Sequence, residues 1–130
     1  MYTQDEDTIS IYKDINALVE SEFRILFYTG DMDLICPPLQ VAFGAGRIAR
    51  NSKMMYSSAG SIWQYLGDFG GARTSYTTWD GRFSMDVITV RGAGHSVPIS
   101  RPDRVFQLIN NFIMYEPGRN IDYSKMIPRR

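Results

Sequence analysis

Two short apolar runs, each stopping at a glycine turn, constrain this chain more than any other feature. Phe23-Arg24-Ile25-Leu26-Phe27-Tyr28-Thr29 ends at Gly30, and Asp86-Val87-Ile88-Thr89-Val90 runs into Arg91-Gly92-Ala93-Gly94. Aliphatic, β-branched and aromatic residues packed so densely read as strands buried on both faces, since a strand wetted on one side alternates with polar residues. Amphipathic segments surround them. Thr8 to Glu20 places Ile11 or Tyr12, Ile15, Leu18 and Val19 at helical spacing behind Thr8 as N-cap. After Cys36-Pro37-Pro38 a second helix can run from Leu39 to Arg50, because proline is tolerated in a first turn. Ser100 can cap a third, with Asp103 in its first turn, an apolar face built on Val105, Phe106, Leu108, Ile109, Phe112 and Ile113, and a stop at Pro117-Gly118.

Between the second and third helices the pattern is weaker. Asn51 to Gly71 is small and polar with scattered aromatics, which predicts short strands or loops and a turn at 67–71. Ala72 to Trp79 predicts a strand joined to Met85–Val90 through the Asp80-Gly81 turn dipeptide. The tail from Arg119 to Arg130 is polar and expected to be loosely held. Buried strands alternating with amphipathic helices predict an α/β fold, a sheet with helices on its faces.

Composition narrows the chemistry. A chain of 130 residues with 44% hydrophobic content suits one domain or a piece of one. Fourteen basic residues balance fourteen acidic ones, so no field of one sign favours nucleic acid or an anionic membrane. Cys36 and His95 are each the single residue of their kind, which removes an internal disulfide or a thiolate zinc cage and leaves poor material for any metal site. Gly44-Ala45-Gly46 and Gly70-Gly71 lack the frames that cradle phosphates. No apolar stretch approaches the roughly 18–20 residues of a membrane span. The first residues lack the basic and apolar regions of a signal peptide, so any export signal would have to sit upstream of them.

The loops after the two buried strands carry ionisable residues, Gly30-Asp31-Met32-Asp33 and Gly92-Ala93-Gly94-His95. Functional groups in open α/β sheets gather at the carboxyl ends of strands, so an acid and an imidazole placed there can meet. Asp33 bonded to one ring nitrogen of His95 would fix its tautomer and leave the other nitrogen to take a proton from a nucleophile. Taken singly, an aspartate in such a turn is most often a turn former and a histidine beside glycines a structural or solvated group. A serine on a Gly-x-Ser-x-Gly elbow would complete the set. The closest match, Tyr56-Ser57-Ser58-Ala59-Gly60, lacks the first glycine, follows no clear strand and falls between acid and histidine. The nucleophile is therefore expected outside these residues.

Arg24 through Cys36 resembles the acid-bearing strand and loop of the serine carboxypeptidases, and Val87 through Pro98, followed by Arg101-Pro102, resembles their histidine motif. The resemblance runs from about Thr8 to Pro117. It implies that residues 1–130 form the C-terminal segment of a serine carboxypeptidase-like catalytic domain, part of an α/β-hydrolase sheet, mixed and mostly parallel, flanked by helices. The implied activity is removal of C-terminal residues through an acyl-enzyme, with Asp33 as triad acid, His95 as general base and Asp31 as a turn residue. Cys36 falls where some members line a substrate pocket with a free cysteine, although as a small buried filler it needs no reactive role. Ser96 falls at a substrate-pocket position that relatives often fill with methionine. No cofactor or metal is implied. The implied partners are a peptide substrate and an N-terminal or heavy chain carrying the serine, with a homodimer of the assembled enzyme as a further option, and neither nucleic acid nor membrane. The implied location is lysosomal, vacuolar or extracellular. Two alternatives stay open, an acyltransferase in which an alcohol resolves the acyl-enzyme, and a non-catalytic chain that binds or stabilises a partner.

Overall fold

The computed structural model describes residues 22–35, 37–114 and 120–126. The helix expected at Thr8–Glu20 and the stop at Pro117-Gly118 lie outside them. Four strands, β1 (Phe23–Gly30), β2 (Met55–Tyr65), β3 (Asp68–Thr77) and β4 (Phe83–Val90), form one sheet in the order β1-β4-β3-β2. Among the described residues three helices accompany it, α1 (Pro38–Asn51), the single turn α2 (Val97–Ser100) and α3 (Pro102–Met114). The sheet is mixed and flanked by helices, but mostly antiparallel, which corrects the mostly parallel arrangement expected. Among the described strands only β1 and β4 run parallel. The reason is connection length. Leu66 and Gly67, both at positive φ (51° and 82°), make the two-residue turn joining β2 to β3, and a tight turn forces neighbours to run antiparallel.

That hairpin also corrects the turn expected at 67–71. Asp68 to Gly71 belong to β3, and the glycines serve close packing: a Cβ on Gly70 would sit 2.7 Å from the Trp63 ring. Asn51–Gly71, read as short strands or loops, contains one strand of 11 residues whose pairing shifts three times, between Tyr56/Ser58, Ser58/Ser61 and Trp63/Gln64.

β4 is buried on both faces, as its composition predicts. Phe83, Met85 and Val87 pack with Ala45, Ile48 and Ala49 of α1. Ile88 and Val90 pack on the other face with Trp63, Val105, Leu108, Ile121 and Tyr123. Leu108 is fully buried, which contributes roughly 1.5–3 kcal/mol. β1 is only half-buried through Ile25, Leu26 and Phe27, because it stands at the edge of the sheet.

The helices start where proline chemistry lets them. Pro37 at φ −61° and ψ 147° is the N-cap of α1 and Pro38 opens its first turn, where no backbone N–H is needed. Pro102 has the opposite consequence for the third predicted helix. Arg101 before it is non-helical at φ −139° and ψ 65°, so the chain breaks into α2 and α3, and Ser100 ends α2 instead of capping α3. Asp103 does lie in the first turn of α3.

The described part of the tail is anchored, against expectation. Ile121 and Tyr123 are buried. Gln107 Nε2 donates to the Tyr123 carbonyl at 2.8 Å and Asn111 Nδ2 donates to the Lys125 carbonyl at 2.9 Å, while the Gln64 N–H donates to Ser124 Oγ at 2.8 Å. Two amides on the inner face of α3 thus take the place of backbone pairing for an irregular segment.

Candidate active site

Parallel pairing of β1 and β4 continues to Gly30↔Val90, so the loops that leave them start side by side. The two are then locked together. The Asp31 N–H donates to the Val90 carbonyl at 3.1 Å, and the Met32 N–H to the Ala93 carbonyl at 3.0 Å. Asp31 Oδ1 accepts the Gly92 N–H at 2.8 Å. Gly30 permits this approach, since a Cβ there would lie 2.1 Å from the Ala93 oxygen. On the far side Arg101 covers Gly92, with its Nη2 2.7 Å from where a Cβ would stand.

This lock delivers the acid to the imidazole. Asp33 Oδ2 lies 3.0 Å from His95 Nδ1, and Asp33 Oδ1 accepts the Ile35 N–H at 2.9 Å. The Asp33 side chain is 4% exposed and that of His95 is 56% exposed, so the carboxylate is sheltered and the ring reaches solvent. An ionised carboxylate only accepts hydrogen bonds, which assigns the proton to Nδ1 and leaves Nε2 as the basic nitrogen. The arrangement can accept a proton at Nε2 and stabilise the resulting imidazolium through Asp33.

The other expected residues fall differently. Asp31 bridges the two loops through its carboxylate, which accepts the Gly92 N–H. Ser96 is exposed directly after His95, and its carbonyl accepts the Ile99 and Ser100 N–H groups at 3.0 and 3.1 Å to start α2. Cys36 lies outside the described residues. Ser58 pairs with Ser61, oxygen to oxygen at 2.7 Å, in β2, and β3 separates β2 from β4. In the sequence Gly30 reads only as the end of a buried strand and Arg101 only as part of the histidine motif, and neither pattern shows that the two residues pack the loops together. Among the described residues no group of three or more His, Cys, Asp or Glu gathers to hold a metal ion.

A mixed sheet flanked by helices, with an acid and a histidine on adjoining strand ends, is the architecture of an α/β-hydrolase fragment. A family model described as serine carboxypeptidase matches residues 1–115, and the chain belongs to that family. Among similar proteins, Serine carboxypeptidase ctsa-3.2 of Caenorhabditis elegans is 28% identical over 131 residues, covering 96% of this chain and 25% of the relative. Serine carboxypeptidase ctsa-4.1 of the same organism is 28% identical, covering 91% and 24%. Serine carboxypeptidase-like 22 of Arabidopsis thaliana is 30% identical, covering 84% and 21%. The chain therefore spans about a quarter or less of the length of these curated relatives.

Proposed function

We propose that this chain is the acid- and histidine-bearing C-terminal portion of a serine-type carboxypeptidase, its nucleophilic serine supplied by residues outside the chain or by a second chain. The hydrogen bond between buried Asp33 and exposed His95 at 3.0 Å carries the reading. In this mechanism His95 Nε2 removes the proton of the incoming serine as its oxygen attacks the peptide carbonyl. Asp33 holds the imidazolium. His95 then returns the proton to the leaving amine, and later activates the water that resolves the acyl-enzyme.

Exposed apolar residues around the acid support a missing neighbour. Met32, Leu34 and Ile35 are 68%, 93% and 75% exposed on either side of Asp33, and β1 stands at the sheet edge. Such a surface fits a protein contact better than water. The chain by itself lacks the nucleophile and is inactive in this reading, and the assembled enzyme works in a lysosome-like or vacuolar compartment or outside the cell.

The test begins with material from the natural source, measured by native mass spectrometry and treated with a serine-directed fluorophosphonate. The proposal requires these residues to travel with, or within, a larger polypeptide that the probe labels. His95→Ala in that assembly is expected to lower hydrolysis of a blocked dipeptide by about 10³-fold or more. Unchanged turnover would refute the role of His95 and favour a chain that only binds or stabilises its partner.

A further inference from the structure

The strand that leads to His95 is held unequally along its two edges. On the β1 side the pairing of β4 runs unbroken to Gly30↔Val90. On the β3 side the paired register stops at Arg73↔Ile88, short of the strand's end at Val90. Gly70 and Gly71 lie beyond that stop, and a Cβ on Gly71 would strike the Thr89 carbonyl. The end of β4 is fastened there by a different set of bonds. Thr89 Oγ1 accepts the Ala72 N–H at 2.9 Å, and the Thr89 carbonyl accepts the Trp63 indole N–H at 2.9 Å. Just past the strand, the Arg91 N–H donates to the Gly70 carbonyl at 2.8 Å.

Trp63 of β2 is the centre of this fastening. It is fully buried, with its ring in the room that Gly70 leaves. It shares one buried cluster with Ile88 and Val90 of β4, and with Ala93 and Val97, which flank His95 in the chain. The Ala93 carbonyl in turn accepts the Met32 N–H of the acid loop. An indole has one N–H to give and no acceptor, so its single bond fixes where the Thr89 carbonyl points. Arg91 to Gly94 belong to no helix or strand, so the place of His95 is inherited from the bonds at the end of β4 and from the acid loop. The acid loop secures one side of that path and the indole the other. We propose that Trp63 is a positioning residue for His95: its indole N–H, together with the Thr89 hydroxyl, replaces the missing end of the β3–β4 ladder and keeps the imidazole where its Nδ1–H reaches Asp33. The inference rests on the reading of Asp33 and His95 as acid and base and adds to it the residue that holds the base in register from the β3 side.

His95 is the single histidine of the chain, so the nitrogen NMR shifts of its ring, measured on the full protein, report its tautomer without overlap. The wild type is expected to show the Nδ1–H form that a bond to the Asp33 carboxylate dictates. Trp63→Phe keeps a ring over Gly70 and removes the donor, and is expected to give a mixture of the two tautomers. In the assembled enzyme the same variant should lower kcat about tenfold or more with KM within about twofold of wild type. Thr89→Val, which removes the hydroxyl, should act in the same direction, and Thr89→Ser, which keeps it, should return both readings to wild type. The Thr89 pair carries the test if Trp63→Phe does not fold. Folded variants that melt earlier in urea yet keep the wild-type tautomer and kcat would show a structural role alone and overturn the proposal, as would a Thr89→Ser as impaired as Thr89→Val. A wild type without the Nδ1–H form would overturn the pairing of Asp33 with His95 and this inference with it, whereas variants that match a wild type showing that form would overturn this inference alone.

Discussion

Replacing Gly30 by alanine tests the loop lock with one added carbon. The new Cβ would lie 2.1 Å from the Ala93 oxygen and 2.5 Å from the Gly94 oxygen, both backbone atoms. Ordinary contact between carbon and oxygen begins above 3 Å, so the loops must part by about 1 Å, and Gly30 offers no positive φ to relieve. Three bonds span the seam at this point, from the Asp31 N–H to Val90, from the Met32 N–H to Ala93 and from the Gly92 N–H to Asp31. Losing all three is worth about 1.5–4.5 kcal/mol at the usual net value of a hydrogen bond. The same displacement stretches the 3.0 Å bond between Asp33 and His95 out of hydrogen-bond range. A misplacement of about 1 Å costs on the order of 10²-fold in rate. Gly30→Ala should therefore lower the urea midpoint with an unchanged slope and cut turnover of the assembled enzyme about a hundredfold with little change in KM. Wild-type stability together with turnover within about threefold of wild type would refute the claim that this glycine sets the pair.

Asp33→Asn keeps the shape of the side chain but can present N–H to the ring, reversing the tautomer, and should lower kcat by about 10⁴-fold while the fold survives, as circular dichroism would report. Tyr123→Phe removes the donor to buried Asp86 and should destabilise the protein by about 2–3 kcal/mol in urea titration. Burial, then the hydrogen bond and charge of Tyr56, push Tyr76 up from 10.0 to about 12, and burial followed by the charge of Asp86 raises Tyr123 as well. The unfolded chain releases these protons near 10 while the folded one keeps them, so stability is full below pH about 10 and falls above it. Melts across this range should show a shallower alkaline loss in Tyr76→Phe, and an identical slope would contradict the assignment.

The central strands and their loops were legible in the sequence because β4 is buried on both faces, and burial on both sides leaves a dense apolar run. The acid and histidine were legible for a related reason, since each follows such a run within five residues. β1 read the same way, yet it is an edge strand half-covered by its neighbours, and composition does not say which strand stands last. β2 stayed hidden because three register shifts erase the two-residue alternation that marks a strand. The Gly70-Gly71 pair looked like a turn because a glycine cleared for a tryptophan ring and a glycine needed for a bend are the same letter. The tail was misread for want of any local signal. Its order comes from Gln107 and Asn111, which in a linear reading are two polar residues on a helix.

The ladder between β1 and β4 runs from Phe23↔Phe83 to Gly30↔Val90 without a shift, while that between β2 and β3 shifts three times. The first behaves as a ruler and the second as an expansion joint. One residue inserted into β1 would slide Asp33 by about 3.3 Å against His95 and turn every side chain beyond it to the opposite face. The same insertion in β2 can be taken up as one more bulge on an edge strand. Length variation in this fold should therefore collect in the β2–β3 hairpin, and libraries that sample insertions should recover active members from that hairpin and none from β1 or β4.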